Sequence, residues 1–394
     1  MRKLSMALIA IFAALGANAQ FYVPDADNPE MLHYTKRATR QRKEFVLPVV
    51  NGYNVYKADL HTHTIYSDGN VTPEFRVQEA WYSGLDVLAI TDHIEYRPCE
   101  GAMLNFLKGY ITEGTTAANL YVTDGAADER GILSDMNYPV KLAQSAATGY
   151  DITIIPGIEI TRTPEAIGHY NALFTKDNNA IYTADALQSL RNAKAQGAII
   201  MLNHQGWRRK NLDLIEFEKK AYAEGLIDGI EIMNGTEFYP RTITYAMKEG
   251  LFFASNTDIG DSIAEEYTML GVQRNMTLIF AKDKSLASLR EAIEARRTLA
   301  YACNTLAGDE QLLKDLFMAS ISVTTVQQLE DGGRTVAVTN NSSVPYLLRM
   351  GHAEPVELEP FKFFMVTIAK DGFVEFTIEN MWCGEDKHPV IELK

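Results

Sequence analysis

The sequence predicts an α/β protein, a distorted (β/α)7 TIM-like barrel followed by a small C-terminal antiparallel β-sandwich domain. Three observations lead to this prediction. Seven short runs of apolar, mostly β-branched residues alternate with helical patterns up to about residue 254. Histidines and carboxylates follow most of these runs. From about residue 316 the pattern changes to alternating strands that are separated by turn residues.

Residues 1–19 have the pattern of a cleavable export signal. We therefore expect cleavage after Ala19 and a mature protein in the periplasm or outside the cell. No later segment has the roughly 18 consecutive apolar residues that a membrane span needs, so membrane insertion is not expected. The pattern consists of a positive start (Arg2, Lys3), an apolar run (residues 6–15) and a small-residue cleavage site (residues 17–19).

The composition limits the classes of partner. The chain has 51 Asp and Glu against 37 Lys and Arg, a formal net charge of -14. An acidic surface argues against nucleic acid and anionic membranes, which bind basic patches. It does not argue against a small anionic substrate, because bound metal ions reverse the charge locally. The three cysteines are widely spaced and form no CxxC motif, so they predict neither a zinc knuckle nor a disulfide framework.

The seven apolar runs are predicted as strands buried on both faces, as in a parallel sheet covered by helices. One helix should begin at Thr72-Pro73 and end near Gly84, because Pro is favoured at the first helical position. Two more are expected at 184–196 and 212–224, each followed by a glycine. The predicted strands are residues 55–60, 85–90, 152–158, 170–174, 198–202, 229–233 and 251–254.

Polar residues at the carboxyl ends of these strands favour a closed barrel over a doubly wound sheet, since a barrel builds its active site from the loops of several strands. His61 and His63 lie two residues apart after the first strand, so both side chains should point to the same side. His169 is an exception, because it precedes its strand. The residues that follow strands are His61, His63, Asp92, His93, Glu159, His204 and Asp258.

Three segments complete the predicted organisation around a barrel at residues 55–304. Residues 20–54 are an N-terminal extension. Residues 95–138 lack a sustained apolar stripe and are predicted as a lid-like insertion over the barrel mouth. The C-terminal domain is predicted at 316–394, with strands at 321–324, 334–338, 363–367 and 374–378, and is joined to the barrel by a helix at 288–297 and residues 305–315.

Clustered imidazoles and carboxylates without thiolates predict two or three divalent ions, with zinc, manganese and iron as candidates. Such ions lower the pKa of a bound water and create a nucleophile, so hydrolysis is the default chemistry. No Gly-rich phosphate loop, GxSxG motif or cysteine-nucleophile signature competes with this interpretation. The candidate ligands are His61, His63, Asp68, His93, Glu159, His169, His204 and Asp258.

The order of these motifs, from Asp59 to about Tyr301, resembles the PHP (polymerase and histidinol phosphatase) family of metal-dependent phosphoesterases. The resemblance implies one ion on His61, His63, Glu159 and Asp258, a second on Glu159, His169 and His204, and a third on Asp68 and His93. The family usually ends its last motif with Asp-x-His, whereas this chain has Asp258-Ile259-Gly260. The third ion is therefore short of one ligand, which water, substrate phosphate or Asp261 could replace.

Residues 91–98 are similar to an exported phosphodiesterase branch of the family. We therefore expect a small anionic phosphoester, preferably a diester, as substrate, with no nucleic-acid partner and an undetermined oligomeric state. Asp92 and Arg97 are the catalytic candidates, while Glu231 is interpreted as structural. The candidate substrate contacts are Arg97, Trp207, Arg208 and Asn234.

Two alternatives remain open from the sequence. A metal-activated water also attacks carbonyl carbon, so the enzyme could be an amidohydrolase or deacetylase. The chain could also be a non-catalytic binding protein whose C-terminal domain docks a glycan or another protein. The nearly complete set of metal ligands argues against this second alternative.

Overall fold

The protein is described here by a computed structural model that covers Glu30, residues 41–98 and residues 135–394, with the backbone of a two-stranded hairpin, Val122–Thr123 and Ile132–Leu133. The predicted export signal, most of the N-terminal extension and most of the predicted lid lie outside these residues. The fold and the candidate site lie within one compact unit, Arg42–Lys394. In the described part of the chain, no helix is long and apolar enough to cross a membrane.

A long mixed sheet curls into a half-barrel and carries the candidate site. Its strands pair in the order β8-β6-β5-β4-β3-β2-β1-β9-β10-β11, with β7 on β6. In chain order they are β1 (Asn54–Asp59), β2 (Val87–Ile90), β3 (Thr153–Thr161), β4 (His169–Leu173), β5 (Ile199–Leu202), β6 (Gly229–Asn234), β7 (Glu237–Phe238), β8 (Phe252–Asn256), β9 (Met276–Ala281), β10 (Thr298–Ala302) and β11 (Thr305–Gly308).

The seven predicted strands correspond to β1–β6 and β8, so the expected barrel-like α/β architecture is confirmed. The assumption that they form a parallel sheet is wrong at β4, which runs antiparallel to both β3 and β5. The amino end of β4 therefore lies at the same edge as the carboxyl ends of its neighbours. This reversal explains why His169 precedes its strand, whereas the other candidate ligands follow theirs.

Side-chain hydrogen bonds connect β8, at one end of the sheet, to β9 and to the residue that follows β1. The main-chain N–H of Leu60 donates to Oδ1 of Asn256 at 2.8 Å, and the N–H of Ser255 donates to Oγ1 of Thr277 at 3.0 Å. These polar groups satisfy buried main-chain donors that have no ladder partner. The sheet is thus held in its curled form beside the candidate site.

Helices pack on the outer face of the sheet. The helix predicted at Thr72-Pro73 is present, and Oγ1 of Thr72 caps it by accepting from the N–H of Phe75 at 3.3 Å. Asp185 caps the third helix in the same way. The helices are α1 (Pro73–Tyr82), α2 (Tyr138–Ala147), α3 (Ala186–Ala195), α4 (Glu216–Ala223), α5 (Pro240–Glu249), α6 (Leu286–Glu294) and α7 (Glu310–Ser320).

The C-terminal region forms two antiparallel sheets, as the alternating pattern predicts. One has the order β12-β13-β16 and the other β15-β14-β17-β19. Phe364 and Phe376 pack edge to face at 5.7 Å between them. The strands are β12 (Ile321–Gln328), β13 (Arg334–Asn340), β14 (Tyr346–Arg349), β15 (Val356–Leu358), β16 (Phe363–Ile368), β17 (Val374–Ile378), β18 (Met381–Trp382) and β19 (Val390–Leu393).

The connection between the two regions has regular structure. Residues 305–315, which the sequence analysis places between the barrel and the C-terminal domain, contain β11 and the start of α7. β18, from the C-terminal region, pairs in parallel with β11 and extends the barrel sheet by one strand. Strands of two to four residues carry too little periodicity to be recognised in a sequence. The two regions therefore share both a sheet and a buried apolar core.

Candidate metal centre

The structure brings the eight candidate metal ligands together at one edge of the curled sheet. Six of them are buried, and Asp68 and Asp258 are partly exposed. The ligand atoms form three groups, and within each group they lie within 4.8 Å of one another. His61 belongs to two of the groups, and so does His63. The groups are His61, Glu159 and His204; His61, His63 and Asp258; and His63, Asp68 and His93.

Glu159 lies at the centre of these residues and is completely buried. Its two carboxylate oxygens face different histidines, so the side chain can bridge two cations. Oε1 lies 3.5 Å from Nε2 of His61, 3.2 Å from Nδ1 of His169 and 3.7 Å from Nε2 of His204, while Oε2 lies 3.8 Å from Nε2 of His63 and contacts Nδ1 of His93.

Asp258 lies between His204 and the paired histidines that follow β1, His61 and His63. Its Oδ1 atom lies 3.0 Å from Nε2 of His61 and 2.8 Å from Nε2 of His63, and Oδ2 lies 3.6 Å from Nε2 of His204. Asp258 and His204 both have positive φ angles, +55° and +22°. Non-glycine residues seldom adopt such conformations, which concentrate at functional sites.

The third group matches the site that the sequence predicts to be short of a ligand. Nε2 of His93 lies 3.3 Å from Oδ2 of Asp68, and Nδ1 of His63 lies 3.7 Å from Oδ1 of Asp68. The carboxylate of Asp261 accepts a hydrogen bond from Asn70 and joins none of the three groups. The structure therefore does not support Asp261 as the replacement ligand.

The hydrogen bonds of His61 test whether this centre suits a cation. Nδ1 of His61 donates to Oε1 of Glu231 at 2.9 Å, which leaves Nε2 with a lone pair when the ring is neutral. Among the described residues that buried Nε2 has no hydrogen-bond partner, and it faces the carboxylates of Asp258 and Glu159. Acceptors that converge in a buried site require a positive charge between them. The histidine and carboxylate clusters thus fit divalent metal binding.

The electrostatics of the cluster support the same conclusion. Burial lowers the pKa of His61, but Asp258, Glu231 and Glu159 outweigh burial and raise it well above its usual value. In the same way, Glu159 and Asp68 outweigh burial at His93 and raise its pKa to about 10. Burial raises the pKa of Glu159, but the histidines around it hold that pKa well below the usual range. The carboxylates therefore stay ionised and attract positive charge to the site.

Glu231 is a site residue that the sequence analysis interpreted only as structural. It is completely buried, and besides His61 it accepts hydrogen bonds from the N–H of His204 at 2.9 Å, from Asn234 at 3.0 Å and from Asn256 at 2.8 Å. A carboxylate behind a ligating histidine fixes its tautomer and orientation. The signal in the sequence was a lone Glu in the otherwise apolar strand β6.

Asn203 is a second site residue to which the sequence assigned no role. Its side-chain amide donates to Oε1 of Glu159 at 2.8 Å and to Oδ1 of Asn171 at 3.0 Å. The side chain of Asn171 in turn donates to the main-chain carbonyl of Leu60 at 3.1 Å. This chain of amides fixes the orientation of the Glu159 carboxylate against the end of β1.

Asp92 holds a turn beside the metal centre. Its carboxylate accepts hydrogen bonds from the N–H of Thr64 at 2.7 Å, from the Thr64 hydroxyl at 2.8 Å and from the Ser67 hydroxyl at 2.6 Å. It does not line the cavity that the described residues form beside the centre. These contacts favour a positioning role for Asp92, which orients the turn that carries Asp68, and a catalytic role stays a prediction.

A cavity of about 800 Å³ opens beside the metal centre. Trp207, Arg208 and Asn234 line it, with the Arg208 guanidinium 4.5 Å from the Trp207 ring centroid. Arg97 does not line this cavity, and its Nη1 donates to the main-chain carbonyl of His93 at 2.6 Å. Substrate contact stays a prediction for Arg97 and for the three residues that line the cavity, Trp207, Arg208 and Asn234.

Comparison with known proteins finds relatives that cover the curled sheet and the residues of the metal centre. The PHP domain family matches residues 59–229. A solved two-domain protein from Bacteroides vulgatus, described as containing a predicted PHP-like metal-dependent phosphoesterase, is 31% identical with a TM-score of 0.77. The match covers 90% of this chain and 98% of that chain, so it includes the C-terminal region. No curated protein matches the sequence significantly.

Two more distant structures resemble part of the chain. An amidohydrolase from Chromobacterium violaceum is 13% identical, with a TM-score of 0.36 over 53% of this chain and 89% of that chain. A lesion-specific endonuclease from Pyrococcus furiosus is 14% identical, with a TM-score of 0.38 over 69% of this chain and 62% of that chain. Both are too distant to indicate a substrate. The domain match and the full-length relative together confirm the resemblance found in the sequence: the chain belongs to the PHP family.

Proposed function

We propose that the protein is an exported, metal-dependent hydrolase of small phosphodiesters. The observation that carries this proposal is the convergence of three histidine and carboxylate groups around Glu159, directly beside a cavity large enough for a small organic substrate. Export is supported by the pattern of residues 1–19, and the phosphoesterase class is supported by the family.

Divalent ions bound by these residues would lower the pKa of an attacking water and neutralise charge on the phosphate oxygens. The protein's own contribution is to place those charges. Glu159 and Asp258 set the spacing between the histidine groups, and Glu231 keeps Nε2 of His61 free to bind. In the overall reaction, a bond forms between water oxygen and phosphorus while one phosphorus–oxygen ester bond breaks, and the leaving alcohol takes up a proton.

The charges that line the cavity favour a diester over a monoester. Among the described lining residues, Arg208 is the only Arg or Lys, and Glu237 and Glu266 also line the cavity. A monoester carries up to two negative charges at neutral pH, whereas a diester carries one. A site with one guanidinium and two additional carboxylates suits the singly charged substrate better.

The test is turnover by the purified mature protein with manganese, zinc or iron. We expect hydrolysis of bis(p-nitrophenyl) phosphate to exceed that of p-nitrophenyl phosphate, to stop with a chelator and to return when metal is added. His204→Ala should lose metal and activity, whereas His352→Ala, which replaces an exposed histidine of the C-terminal domain, should lose neither. No turnover of mono- or diesters with any metal, or turnover only of an acetanilide amide, would overturn the proposal.

A further inference from the structure

One wall of the cavity is apolar. Tyr267, Leu270 and Val272 line the cavity and form this wall. Leu270 and Val272 are unusually exposed for aliphatic residues, at 71% and 39%. Single exposed aliphatic residues are common on protein surfaces, but neighbouring ones that face a cavity next to a reactive centre indicate a ligand surface.

The wall is attached directly to the metal centre. Ile259, which follows Asp258, packs with Ile263 and Tyr267 in a small buried cluster. The main-chain carbonyl of Ile259 also accepts a hydrogen bond from the N–H of His63 at 3.0 Å. Asp258 and the wall residues Leu270 and Val272 line the same cavity, so a ligand that fills this cavity can reach both.

Main-chain hydrogen bonds hold the exposed turn of this wall. After a π-helix, Ala264–Thr268, the N–H of Met269 donates to the carbonyl of Ala264 at 2.9 Å, and the N–H of Val272 donates to the carbonyl of Tyr267 at 3.0 Å. Gly271 supplies the left-handed conformation that the turn needs, with φ of +68°. The turn therefore does not depend on the side chain of Leu270, which is free to serve as a contact surface.

Charge limits what can occupy the space in front of the wall. Glu237 and Glu266 line the same cavity, and they would repel a second anionic group beyond the scissile phosphate. Arg208 is the only Arg or Lys among the described lining residues, and it lies against Trp207. A second anionic group is therefore disfavoured, and among the other groups an apolar one gains most from contact with the aliphatic side chains of Leu270 and Val272.

We propose that the substrate is a phosphodiester that carries one bulky, uncharged apolar ester group, and that Tyr267, Leu270 and Val272 bind this group. The inference rests on the proposed phosphodiesterase function and names the substrate class for that site. Leu270 then acts as a specificity-determining residue rather than a catalytic one. Dinucleotide-like diesters, which carry polar and often additional charged groups, should be poorer substrates.

The experiment compares two diesters with the same leaving group, phenyl p-nitrophenyl phosphate and methyl p-nitrophenyl phosphate. The ratio of kcat/KM for the phenyl ester to that for the methyl ester is measured for the wild type and for two variants. Because each variant is compared with the wild type, the intrinsic reactivity of the esters cancels. Leu270→Asn removes an apolar contact from the cavity, and Met269→Asn replaces its exposed neighbour, which is not among the described lining residues.

We expect Leu270→Asn to lower this ratio by about 10-fold, the usual effect of losing an apolar contact in a specificity pocket, and to leave the metal content unchanged. Met269→Asn should keep the ratio within about twofold of the wild type, because only cavity contacts affect specificity. An equal ratio in all three proteins would overturn the proposal while leaving the phosphodiesterase function in place. A wild-type preference for thymidine or choline p-nitrophenyl esters over the phenyl ester would also overturn it. No turnover of any diester would overturn both.

Discussion

Nδ1 of His61 and Oε1 of Glu231 lie 2.9 Å apart in a hydrogen bond that is completely buried behind the metal centre. Because Glu231 only accepts when ionised, this contact assigns the proton of a neutral His61 ring to Nδ1 and directs Nε2 toward Asp258 and Glu159. The Glu231 carboxylate thus orients His61 as a metal ligand from the Nδ1 side of the ring, opposite the Nε2 atom that would bind the ion.

We expect Glu231→Gln to weaken metal binding by about 10- to 100-fold, the usual effect of losing a partner behind a ligating histidine. The amide oxygen can still accept hydrogen bonds, but the NH2 group that replaces the other carboxylate oxygen cannot accept from the N–H of His204. Metal titration followed by activity measurement checks the prediction, with the exposed Glu357→Gln as the control. Unchanged metal affinity in the Glu231 variant would show that this hydrogen bond is dispensable.

Arg76 connects α1 to the metal-binding loops. It is completely buried, and its guanidinium donates to the main-chain carbonyls of His63, Ile259, Gly260 and Asp261 and contacts Glu79. Arg76→Met should lower the free energy of unfolding by about 3–5 kcal/mol, because it leaves a buried carboxylate unpaired.

Denaturant unfolding of the metal-free protein measures this effect. Adding Glu79→Met to Arg76→Met should recover part of the loss, since the unpaired charge is then removed. If the double variant loses as much free energy of unfolding as Arg76→Met and Glu79→Met lose together when measured singly, the prediction is wrong. The lost hydrogen bonds to main-chain carbonyls would then account for the instability, rather than the unpaired carboxylate of Glu79.

Gly260 occupies the position where the family usually has a histidine. A Cβ atom there would lie 3.4 Å from Cα of Gly69, an ordinary contact, so the backbone at this position tolerates a Cβ. Gly260→His should therefore add a ligand beside Asp68 and His93 and raise the number of tightly bound ions by one. Elemental analysis after dialysis checks this, with Gly260→Ala as the control for backbone effects. The same ion content in both variants would mean that the third site does not lack this ligand.

Glu218 makes a prediction about pH. Burial raises the pKa of its carboxyl above the usual value, although Arg209 lowers it in part. The folded state therefore binds the proton more tightly than the unfolded state. The stabilisation from protonation is complete below the ordinary glutamate pKa of 4.5 and is lost as the pH rises through the higher folded pKa. The stability of the wild type relative to Glu218→Gln should fall as the pH rises above about 4.5, as measured by denaturant unfolding at several pH values. A pH-independent difference would contradict this.

The sequence predicts the seven strands, and the eight candidate ligands that it indicates lie together in the structure, because both are marked by local features. An apolar run and the polar residue that ends it are adjacent in the chain, as in β1 and His61-x-His63. The direction of β4 is not local, because it depends on pairing with β3 and β5. The sequence alone therefore does not explain why His169 precedes its strand, whereas the antiparallel direction of β4 does.

The contacts behind the centre are also non-local. Glu231 is 170 residues from His61, and Arg76 meets Ile259 across 183 residues. Glu231 is a charged residue within an apolar strand, which indicates burial, whereas Arg76 lies in a helix with two glutamates and a glutamine, which does not. Which carbonyl or imidazole each one reaches depends on the curl of the sheet, so the sequence indicates neither partner.

The most direct test of the metal centre is the number of divalent ions bound per chain of the purified mature protein, measured by elemental analysis after exhaustive dialysis. The geometry around Glu159 predicts at least two ions per chain, and fewer in His204→Ala and Asp258→Ala. A folded wild-type protein that retains less than one divalent ion per chain under metal-replete conditions would contradict the account.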